Sequence, residues 1–575
     1  MGLNGGALLA RVLAEVAPVV FTLHGGHLDS FFRACGTEGI ELLDFRHEAA
    51  AVNAADGYAR TTRGLGVAAV TSGPGFTNAY AGLANAYADG VPLLLVTSAP
   101  PLRETETNEL QGGIDQIAAA TPVTKWAHRI TTPERIPDLV GLAVRHAVSG
   151  RPGPVLLELP IDVAFTPVDE SRLKPAGAPA VGPAPAAAPE AVREAVDLLR
   201  SAERPAIVVG EQTLWSHVEE PLVRFAETTG IPVFATGPSW RTLPMRHPLN
   251  AQSVTSLAVL PLIGASGPDT VLLLGARMGM FTGGGPGVLV PADARLIQVD
   301  ADPVEIGRMA PVDVAITGDC GRALDALLAA AEQGAWPDRS AWAEQAVGAH
   351  KVMEDLFADA PEDMDGRLHP FRAAWEALAA LDPGAIVVTD GGESAAWAES
   401  ALTATEPDLL FRLGYQGHLG VGQGWAIGAQ RAEPERRVVQ ITGDGAIGFH
   451  IQELDTMVRH ELPIVTIVFA NDTWGMSIHG QDAVFGPGND VITRLAPTPY
   501  EKVAEAFGAY GERVDKLADL GPAVRRALDT GRPALINVAV SNDVVHPVTT
   551  ALLGDLTATD EIVIPYYQNL PRTGA

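Results

Sequence analysis

The chain has 575 residues, of which 47% are hydrophobic and 19% charged, and its formal net charge is −29. This length suits several domains, since a domain usually spans about 100–200 residues. The acidic excess excludes an extended nucleic-acid partner, because such proteins need a basic face. Residues 1–20 lack the basic region of a signal peptide, and apolar runs such as 91–100 are far too short to span a membrane. A cytoplasmic enzyme that binds neither membranes nor nucleic acids is the expected class.

The predicted elements fall into three sets along the chain. Up to about residue 165, strand-length apolar runs alternate with helical patterns, and glycine-bearing turns follow the runs. Apolar runs of this kind indicate buried parallel strands. The Pro/Ala/Gly tract 174–190 indicates an interdomain linker. A second set ends near residue 345, and a third begins near 368.

The predicted fold class is therefore α/β, with three doubly wound parallel-sheet domains. The first and third sets share the same strand–turn–helix rhythm. The predicted boundaries are residues 1–172 for the N-terminal domain, 173–190 for the linker, 191–345 for the middle domain and 365–575 for the C-terminal domain.

The most specific pattern lies in residues 437–475, where a strand, the triplet Gly443-Asp444-Gly445, a helix, a second strand and Asn471 follow one another. A right-handed βαβ unit places Asp444 and Asn471 at the sheet edge where ligands bind. The glycines permit close backbone approach, and the helix N-terminus can face a phosphate. Carboxylate and amide oxygens suit Mg²⁺. The triplet alone would be interpreted as a turn in which Asp444 caps a helix, but the asparagine after the next strand favours a binding site.

This spacing resembles the metal–diphosphate motif of thiamine diphosphate (ThDP) enzymes, the acetolactate synthase and pyruvate decarboxylase superfamily. The resemblance implies bound ThDP and Mg²⁺, with the ion held by Asp444, Asn471 and the main-chain oxygen of Thr473. It also implies further cofactor contacts, at Gly443, Gly445, Ala446, Trp474, Gly475 and Met476. Members of this family bind ThDP between two subunits, which implies a homodimer as the minimum unit and favours a homotetramer.

The other half of a ThDP site is expected in the N-terminal domain. In "DFRHEAAAVNAADGYAR" (44–60) Glu48 is the residue that, by resemblance, hydrogen-bonds the aminopyrimidine ring and promotes deprotonation of the thiazolium C2. Alone, Glu48 would be interpreted as a first-turn carboxylate stabilised by the helix dipole. Gly73 and Asn78 in "TSGPGFTNAY" resemble the turn that lines the site. In "GYQGHLGVGQG" the resemblance makes Leu419 the wedge between the cofactor rings and the Gly417 carbonyl an acceptor.

Within this superfamily, "LHGGHLDSFF", "RHEAAA", "ETNELQGGIDQ" and "VTKWAHRI" together resemble the benzaldehyde lyase branch. This resemblance implies that His27 and Gln111 act as acid/base partners beside the cofactor. For His24 and His27 the alternatives are a metal pair, which lacks a third ligand nearby, and ordinary helix-start residues.

The chain departs from benzaldehyde lyase in the expected substrate pocket. It has Ile161, Ala395 and Gly480 where that branch has aromatic residues, and Met476 where it has a small one, so the pocket is reshaped. The predicted pocket residues are His24, Gly26, Ile161, Ala395, Met476 and Gly480. Trp474, His479 and Gln481 are expected to border it, either as lining residues or as packing behind it.

The leading hypothesis is a ThDP- and Mg²⁺-dependent lyase or carboligase that forms or cleaves α-hydroxyketones (acyloins) from aldehydes or 2-oxoacids. A 2-oxoacid decarboxylase or an acetolactate synthase-like enzyme remains the alternative, because the cofactor motif is common to all of them. FAD is not expected, because "GARMGMFTGGGPG" resembles the flavin-free lyase branch. A catalytically inactive homologue is a third hypothesis.

Overall fold

The computed structural model describes residues 3–105, 107–108, 110–174, 184–285, 287–405, 407–551, 553, 556–557, 560–564 and 569–572. Residues 175–183 of the predicted linker lie outside these ranges. The described chain forms three six-stranded sheets, each with parallel pairing throughout. The predicted α/β class with three doubly wound sheets is confirmed, whereas the domain boundaries remain predictions.

The first sheet consists of β1 Val19–Thr22, β2 Glu41–Asp44, β3 Gly66–Val70, β4 Leu93–Ala99, β5 Trp126–Arg129 and β6 Pro154–Pro160, in the order β2-β1-β3-β4-β6-β5. Its helices are α1 Gly5–Leu13, α2 Asp29–Glu38, α3 Glu48–Thr62, α4 Pro74–Asp89, α5 Gln116–Ala120, α6 Ile136–Val148 and α7 Ile161–Phe165. Short 3₁₀ turns cover Gly26–Leu28, Leu102–Glu104, Thr121–Val123, Pro133–Arg135 and Glu170–Arg172.

The second sheet consists of β7 Pro205–Val209, β8 Val233–Ala235, β9 Asn250–Ser253, β10 Thr270–Leu274, β11 Arg295–Asp300 and β12 Val314–Thr317, in the order β12-β11-β10-β7-β8-β9. Its helices are α8 Pro189–Ser201, α9 Gln212–Trp215, α10 Glu219–Thr229, α11 Cys320–Ala331 and α12 Ser340–Ala358. Its 3₁₀ segments are Gly237–Thr242, Val254–Ile263 and Met280–Thr282. Helix α12 runs through residue 345, the predicted end of this domain, and packs against Val254–Ile263.

The third sheet has the same order as the first. A hairpin of β13 Asp363–Met364 and β14 Arg367–Leu368 precedes it. Its strands are β15 Ile386–Asp390, β16 Leu409–Phe411, β17 Val438–Gly443, β18 Val465–Ala470, β19 Tyr510–Val514 and β20 Ala534–Ala539, in the order β16-β15-β17-β18-β20-β19. Its helices are α13 Pro370–Ala379, α14 Glu393–Ser400, α15 Val421–Ala432, α16 Asp444–His450, α17 Glu453–Arg459, α18 Gly475–Phe485, α19 Tyr500–Phe507, α20 Leu517–Asp529 and α21 Pro547–Ala551. A 3₁₀ turn at Leu402–Ala404 and a hairpin of β21 Glu561–Ile562 and β22 Leu570–Pro571 complete the elements.

Helices α3 and α15 join the first and third sheets through direct backbone contact. A Cβ at Gly428 would lie 2.1 Å from the Ala54 carbonyl oxygen, and a Cβ at Gly57 would lie 2.6 Å from that of Trp425. Only glycine permits this approach, because any side chain would have to displace the backbone of the other helix. The contact fixes α3, which begins at Glu48, against α15. Among the helices that the structure describes, none has the length and apolar character needed to cross a bilayer.

Candidate active site

The carboxyl edge of the first sheet gathers the residues predicted in the N-terminal domain. Strand β1 lies between β2 and β3, so the chain leaves β1 and β3 in opposite directions and opens a crevice. His27 follows β1, Glu48 follows β2 and Gly73 follows β3. The fold therefore brings these three positions to one edge.

Glu48 is the first residue of α3 and its side chain is buried. Asn78 Nδ2 donates a hydrogen bond of 3.0 Å to Glu48 Oε2. His47 caps the helix, because its Nδ1 accepts the main-chain N–H of Ala49 at 3.1 Å. A Cβ at Gly75 would lie 3.6 Å from Glu48 Oε1, so the glycine leaves space beside the carboxylate. The carboxylate is thus held at the helix N-terminus, where the dipole stabilises its charge.

Thr71 connects the segment of His27 to Gln111. A Cβ at Gly25 would lie 2.3 Å from the Thr71 Cβ, so the chain just before His27 lies against that side chain. Gln111 has a φ of +56°, and its Oε1 accepts hydrogen bonds from the hydroxyls of Thr71 at 3.3 Å and Ser72 at 3.2 Å. Burial lowers the pKa of His27, which favours its neutral form.

His24 lies differently from His27. Its side chain is 70% exposed, and its Nε2 lies 3.0 Å from Asp29 Oδ1 in the first turn of α2. This contact matches the alternative in which His24 is an ordinary helix-start residue. Gly26, also predicted in the pocket, is exposed.

The carboxyl edge of the third sheet gathers the predicted metal ligands. Asp444 begins α16 directly after β17; its Oδ1 accepts the N–H of Gly445 at 2.9 Å, and its Oδ2 that of Asp472 at 2.7 Å. Asn471 follows β18, and its Oδ1 accepts the N–H of Thr473 at 3.1 Å. Burial raises the pKa of Asp444 to about 6, because the carboxylate has lost most of its hydration.

The oxygen donors at this edge suit Mg²⁺. Asp444 is a buried carboxylate that accepts main-chain N–H groups from Gly445 and Asp472, and a divalent cation would neutralise its charge. Within the described part of the chain no three His, Cys, Asp or Glu side chains form a possible metal cluster. A metal here would therefore also depend on the amide oxygen of Asn471 and the main-chain oxygen of Thr473, which are hard donors.

Small residues let the strand ends approach each other at this edge. A Cβ at Gly391, where φ is +104°, would lie 2.3 Å from Ser394 Oγ, and one at Gly443 would lie 2.9 Å from the same atom. Ala446 is buried in α16. A Cβ at Gly445 would lie 2.5 Å from the Trp474 ring, so the indole packs on the Gly-Asp-Gly turn.

The segment before α15 is held by a buried carboxylate. Asp390 Oδ1 accepts the N–H of Gly420 at 3.1 Å, and its Oδ2 accepts that of Gly422 at 2.9 Å. Gly417 has a φ of +60° and is exposed, while Leu419, the predicted wedge, is half-buried. The predicted cofactor loop therefore has a fixed end at α15.

Four further side chains support the predicted metal ligands through hydrogen bonds, and the sequence analysis did not predict this role for them: Glu393, His479, Asn542 and Thr549. Asn542 Oδ1 accepts hydrogen bonds from Asn471 Nδ2 at 3.3 Å and Thr473 Oγ1 at 2.7 Å. His479 Nδ1 lies 2.8 Å from both Glu393 carboxylate oxygens, and its Nε2 lies 2.8 Å from the Asn542 carbonyl oxygen. The hydroxyl of Thr549 also donates to Glu393.

The His479–Glu393 pair is buried behind the predicted metal ligands. Burial opposes protonation of His479, but the hydrogen bond and charge of Glu393 outweigh it and raise the pKa of the imidazole. His479 was expected to border the pocket, either as a lining residue or as packing behind it. In the structure it packs behind the predicted metal ligands and contacts Glu393 and Asn542. Asn542 follows β20, the neighbour of β18, so the rule that parallel strand ends converge could have identified it. Gln481 instead holds the main chain of Val491.

The predicted pocket residues divide between the two sheets. Ile161 is half-buried at the carboxyl end of β6, on the edge that also carries Gly26. Ala395 and Gly480 are buried in α14 and α18. Met476 packs on the turn before α14, since a Cβ at Gly392 would lie 3.5 Å from its Sδ. Among the described residues no hydrogen bond joins Glu48 or Gln111 to Asp444.

A cavity of about 840 Å³ lies away from both edges. Its lining includes Arg63, Glu219, Arg224 and Asp408. Arg63 pairs with Glu219, and Arg224 pairs with Glu332 at 2.7 Å. The two arginines that line this cavity are therefore paired with carboxylates. The candidate catalytic and metal-binding residues lie instead at the carboxyl edges of the first and third sheets.

The chain matches family models for all three domains of thiamine pyrophosphate enzymes (thiamine pyrophosphate is another name for ThDP). The N-terminal TPP-binding domain matches residues 3–119, the central domain 192–327 and the C-terminal TPP-binding domain 390–538. The first match contains His27, Glu48 and Gln111. The last contains Asp444 and Asn471.

Curated relatives align with the chain over almost their full length. The acetolactate synthase large subunit IlvG of Mycobacterium tuberculosis is 35% identical over 95% of this chain and 97% of the relative. The 2-hydroxyacyl-CoA lyase of Oryza sativa subsp. japonica is 32% identical over 94% and 96%. The 2-hydroxyacyl-CoA lyase 2 of Mus musculus is 31% identical over 93% and 90%. The chain therefore belongs to the ThDP-dependent enzymes of the acetolactate synthase and pyruvate decarboxylase superfamily.

Proposed function

We propose that this ThDP enzyme is a Mg²⁺-dependent C–C lyase and carboligase that forms or cleaves α-hydroxyketones. Like benzaldehyde lyase, it would form them from aldehydes without needing a 2-oxoacid. The observation that carries the proposal is that Gly25, two residues before His27, packs against Thr71, whose hydroxyl donates to Gln111 on the edge that carries Glu48. The names of its relatives, a synthase and two lyases, support a reaction that makes or breaks a C–C bond.

Bound ThDP would supply the carbon nucleophile and the electron sink, and the chain supplies binding, orientation and proton transfer. Asp444, Asn471 and the main-chain oxygen of Thr473 would hold Mg²⁺. Glu48 would accept a hydrogen bond from the aminopyrimidine ring, since its carboxylate is buried and oriented by Asn78.

His27 has the chemistry for proton transfer to and from a carbonyl oxygen, and Gln111 can hydrogen-bond that oxygen. The lowered pKa of His27 keeps the imidazole neutral, so it can accept a proton near neutral pH. The Oε1 of Gln111 is occupied by two hydroxyl donors, which directs its Nε2 donor away from Thr71 and Ser72. That donor can hydrogen-bond a substrate oxygen.

The predicted pocket favours aldehydes over 2-oxoacids. Carboxylate groups are usually held by Arg or Lys. None of the six predicted pocket positions carries either residue, and Ile161, Ala395 and Met476 are apolar. A 2-oxoacid would therefore find neither arginine nor lysine at these positions.

We also propose a homodimer as the minimum unit and a homotetramer as the assembled enzyme. The two edges carry complementary halves of a cofactor site, and a second copy would supply the half that each edge lacks. Light scattering during size-exclusion chromatography measures the assembly, and a monomer in the presence of ThDP and Mg²⁺ would contradict it.

We infer that the enzyme does not use FAD. At the carboxyl edge of the second sheet, Gln212 Nε2 donates to Asp300 Oδ1 at 2.7 Å and Gln212 Oε1 accepts the N–H of Ala301 at 3.0 Å, so these polar groups already bind one another. A Cβ at Gly275 would lie 2.7 Å from Cys320 Sγ. A flavin absorbance spectrum of the purified protein would refute this inference.

The first test is mass spectrometry of the products made with ThDP and Mg²⁺. One reaction set contains aliphatic and aromatic aldehydes alone, and another contains pyruvate and other 2-oxoacids. Hydroxyketone from aldehydes alone is the expected result. Product only from oxoacids, with release of CO₂, would instead assign the enzyme to the decarboxylating, acetolactate synthase-like branch. Absence of turnover on the whole panel despite ThDP binding would favour an inactive homologue.

Two variants test the assigned roles. In Glu48→Gln, hydrogen–deuterium exchange at C2 of bound ThDP should slow greatly, and wild-type exchange would refute the role of Glu48. In His27→Ala, ligation should fall more than ThDP affinity, and unchanged turnover would remove His27 from the mechanism.

A further inference from the structure

The turn that precedes Glu48 is held by a buried carboxylate from the third-sheet unit. Glu453 is the first residue of α17 and its exposed fraction is 0%. Its two carboxylate oxygens lie 3.1 and 3.3 Å from the main-chain nitrogen of Arg46, which donates to both. Thr456 Oγ1 donates to Glu453 Oε2 at 2.6 Å. Arg46 is two residues before Glu48, so this contact acts on the backbone that leads into α3.

Helix α17 contacts the same turn at further points. Arg459 donates to Asp44 at both its carboxylate, at 2.6 Å, and its main-chain oxygen, at 2.7 Å. Asp455 Oδ2 lies 3.9 Å from the side-chain Nε of Arg46. The ring of His47 lies 5.3 Å from that of His450, at the end of α16. The turn between β2 and α3 is thus fixed by α16 and α17.

Glu453 differs from the contacts of Asp455 and Arg459 because its side chain is fully buried. Burial raises the pKa of Glu453 to about 7, against the hydrogen bonds of Thr456, Arg46 and His47, which lower it. A buried carboxylate is retained only where such donors replace its hydration. Its loss would leave the Arg46 N–H without its acceptor and free the turn to move.

We propose that Glu453 is a positioning residue for Glu48, acting through the main chain of Arg46 to set the position of the α3 N-terminus. This inference rests on the proposed role of Glu48. Misplacement of a reacting group by about 1 Å can slow a reaction by about 100-fold. Glu453 would therefore control the rate of proton transfer at the cofactor without contacting the cofactor.

The test compares Glu453→Gln with Asp455→Asn. The second variant removes a carboxylate on the same helix that contacts the side chains of Arg46 and Arg459. Glutamine keeps the size of the side chain but has one acceptor oxygen and places an NH₂ group towards a donor. The first readout is amide deuterium uptake of residues 44–50 in cofactor-free protein. The second is exchange at C2 of bound ThDP, measured with ThDP affinity and Tm.

In Glu453→Gln we expect faster amide uptake at residues 44–50, and C2 exchange slowed by about 10-fold or more, with ThDP affinity within about threefold of wild type. Asp455→Asn should change both readouts less than Glu453→Gln, because its carboxylate contacts the turn only through the Arg46 side chain, at 3.9 Å, among the described residues. Thr456→Val removes the hydroxyl that donates to Glu453 and that accepts from Arg459 Nη2 at 3.5 Å, and it should slow C2 exchange by about threefold. This milder variant decides the matter if Glu453→Gln does not fold.

Wild-type C2 exchange in a folded Glu453→Gln, together with slow exchange in Glu48→Gln, would overturn the proposal and leave Glu453 a structural residue. Wild-type exchange in Glu48→Gln would instead refute the role of Glu48 itself. The two failures are therefore distinguishable.

Discussion

Replacing Asn542 by alanine removes the acceptor shared by two predicted Mg²⁺ ligands. Asn542 Oδ1 accepts hydrogen bonds from Asn471 Nδ2 and from Thr473 Oγ1, at 3.3 and 2.7 Å. Thr473 is buried, so its hydroxyl would lose its acceptor where water has little access. The Asn471 amide would also lose the acceptor of its Nδ2, which leaves its orientation to the contact of its Oδ1 with the Thr473 N–H.

The magnitude follows from the two lost hydrogen bonds. A neutral hydrogen bond contributes about 1 kcal/mol net, so the two together contribute about 2 kcal/mol. This corresponds to a change of about 30-fold in a dissociation constant. Loss of a group that orients a metal ligand typically weakens metal binding by about 10- to 100-fold, which brackets the same value. We therefore expect the Kd for Mg²⁺ to rise by about 30-fold in Asn542→Ala.

Mg²⁺ titration at saturating ThDP, followed by tryptophan fluorescence or calorimetry, measures this change. Trp474 packs on Gly445 beside Asp444 and provides a local fluorophore. Asn542→Asp keeps the acceptor oxygen and should bind Mg²⁺ within about threefold of wild type. Asp543→Ala changes an exposed neighbour and serves as the surface control. Wild-type Mg²⁺ affinity in Asn542→Ala would refute the argument that Asn542 orients the ligands.

Two further predictions concern packing and pH. In Gly25→Ala the new Cβ would lie 2.3 Å from the Thr71 Cβ, so we expect about 1–3 kcal/mol of destabilisation and reduced ligation. Gly26→Ala, whose Cβ would meet only Asp29 Oδ2 at 3.9 Å, is the matched control, and an equal Tm in the two variants would contradict the packing argument. Burial lowers the pKa of His546 to about 3 from 6.5, so the unfolded state binds a proton that the folded state does not. Stability should fall as pH drops below 6.5, by about 3 kcal/mol down to pH 4.5, and His546→Asn should lose that part of the dependence; parallel curves of unfolding free energy against pH would refute it.

The sequence by itself predicted the α/β class with three parallel sheets, the superfamily and the candidate site residues. Buried parallel strands are local features, because a strand covered on both faces must be apolar throughout, and the structure has strands at each such run. The spacing of Asp444 and Asn471 is also local, since one βαβ unit carries both to the same edge. Glu48 follows directly after a predicted strand, which places it at an edge without knowledge of the rest of the fold.

The supporting contacts were decided by the tertiary structure alone. Asn542 reaches Asn471, and Glu453 reaches Arg46, across separations of 71 and 407 residues, and neither pairing leaves a periodic or spaced signal in the chain. The different environments of His24 and His27 also depend on the fold. The His24 imidazole contacts Asp29, whereas the His27 imidazole is partly buried. Residue types and spacing specify which groups stand at a strand end, but the partner of a polar side chain depends on which strand ends and helices converge in three dimensions.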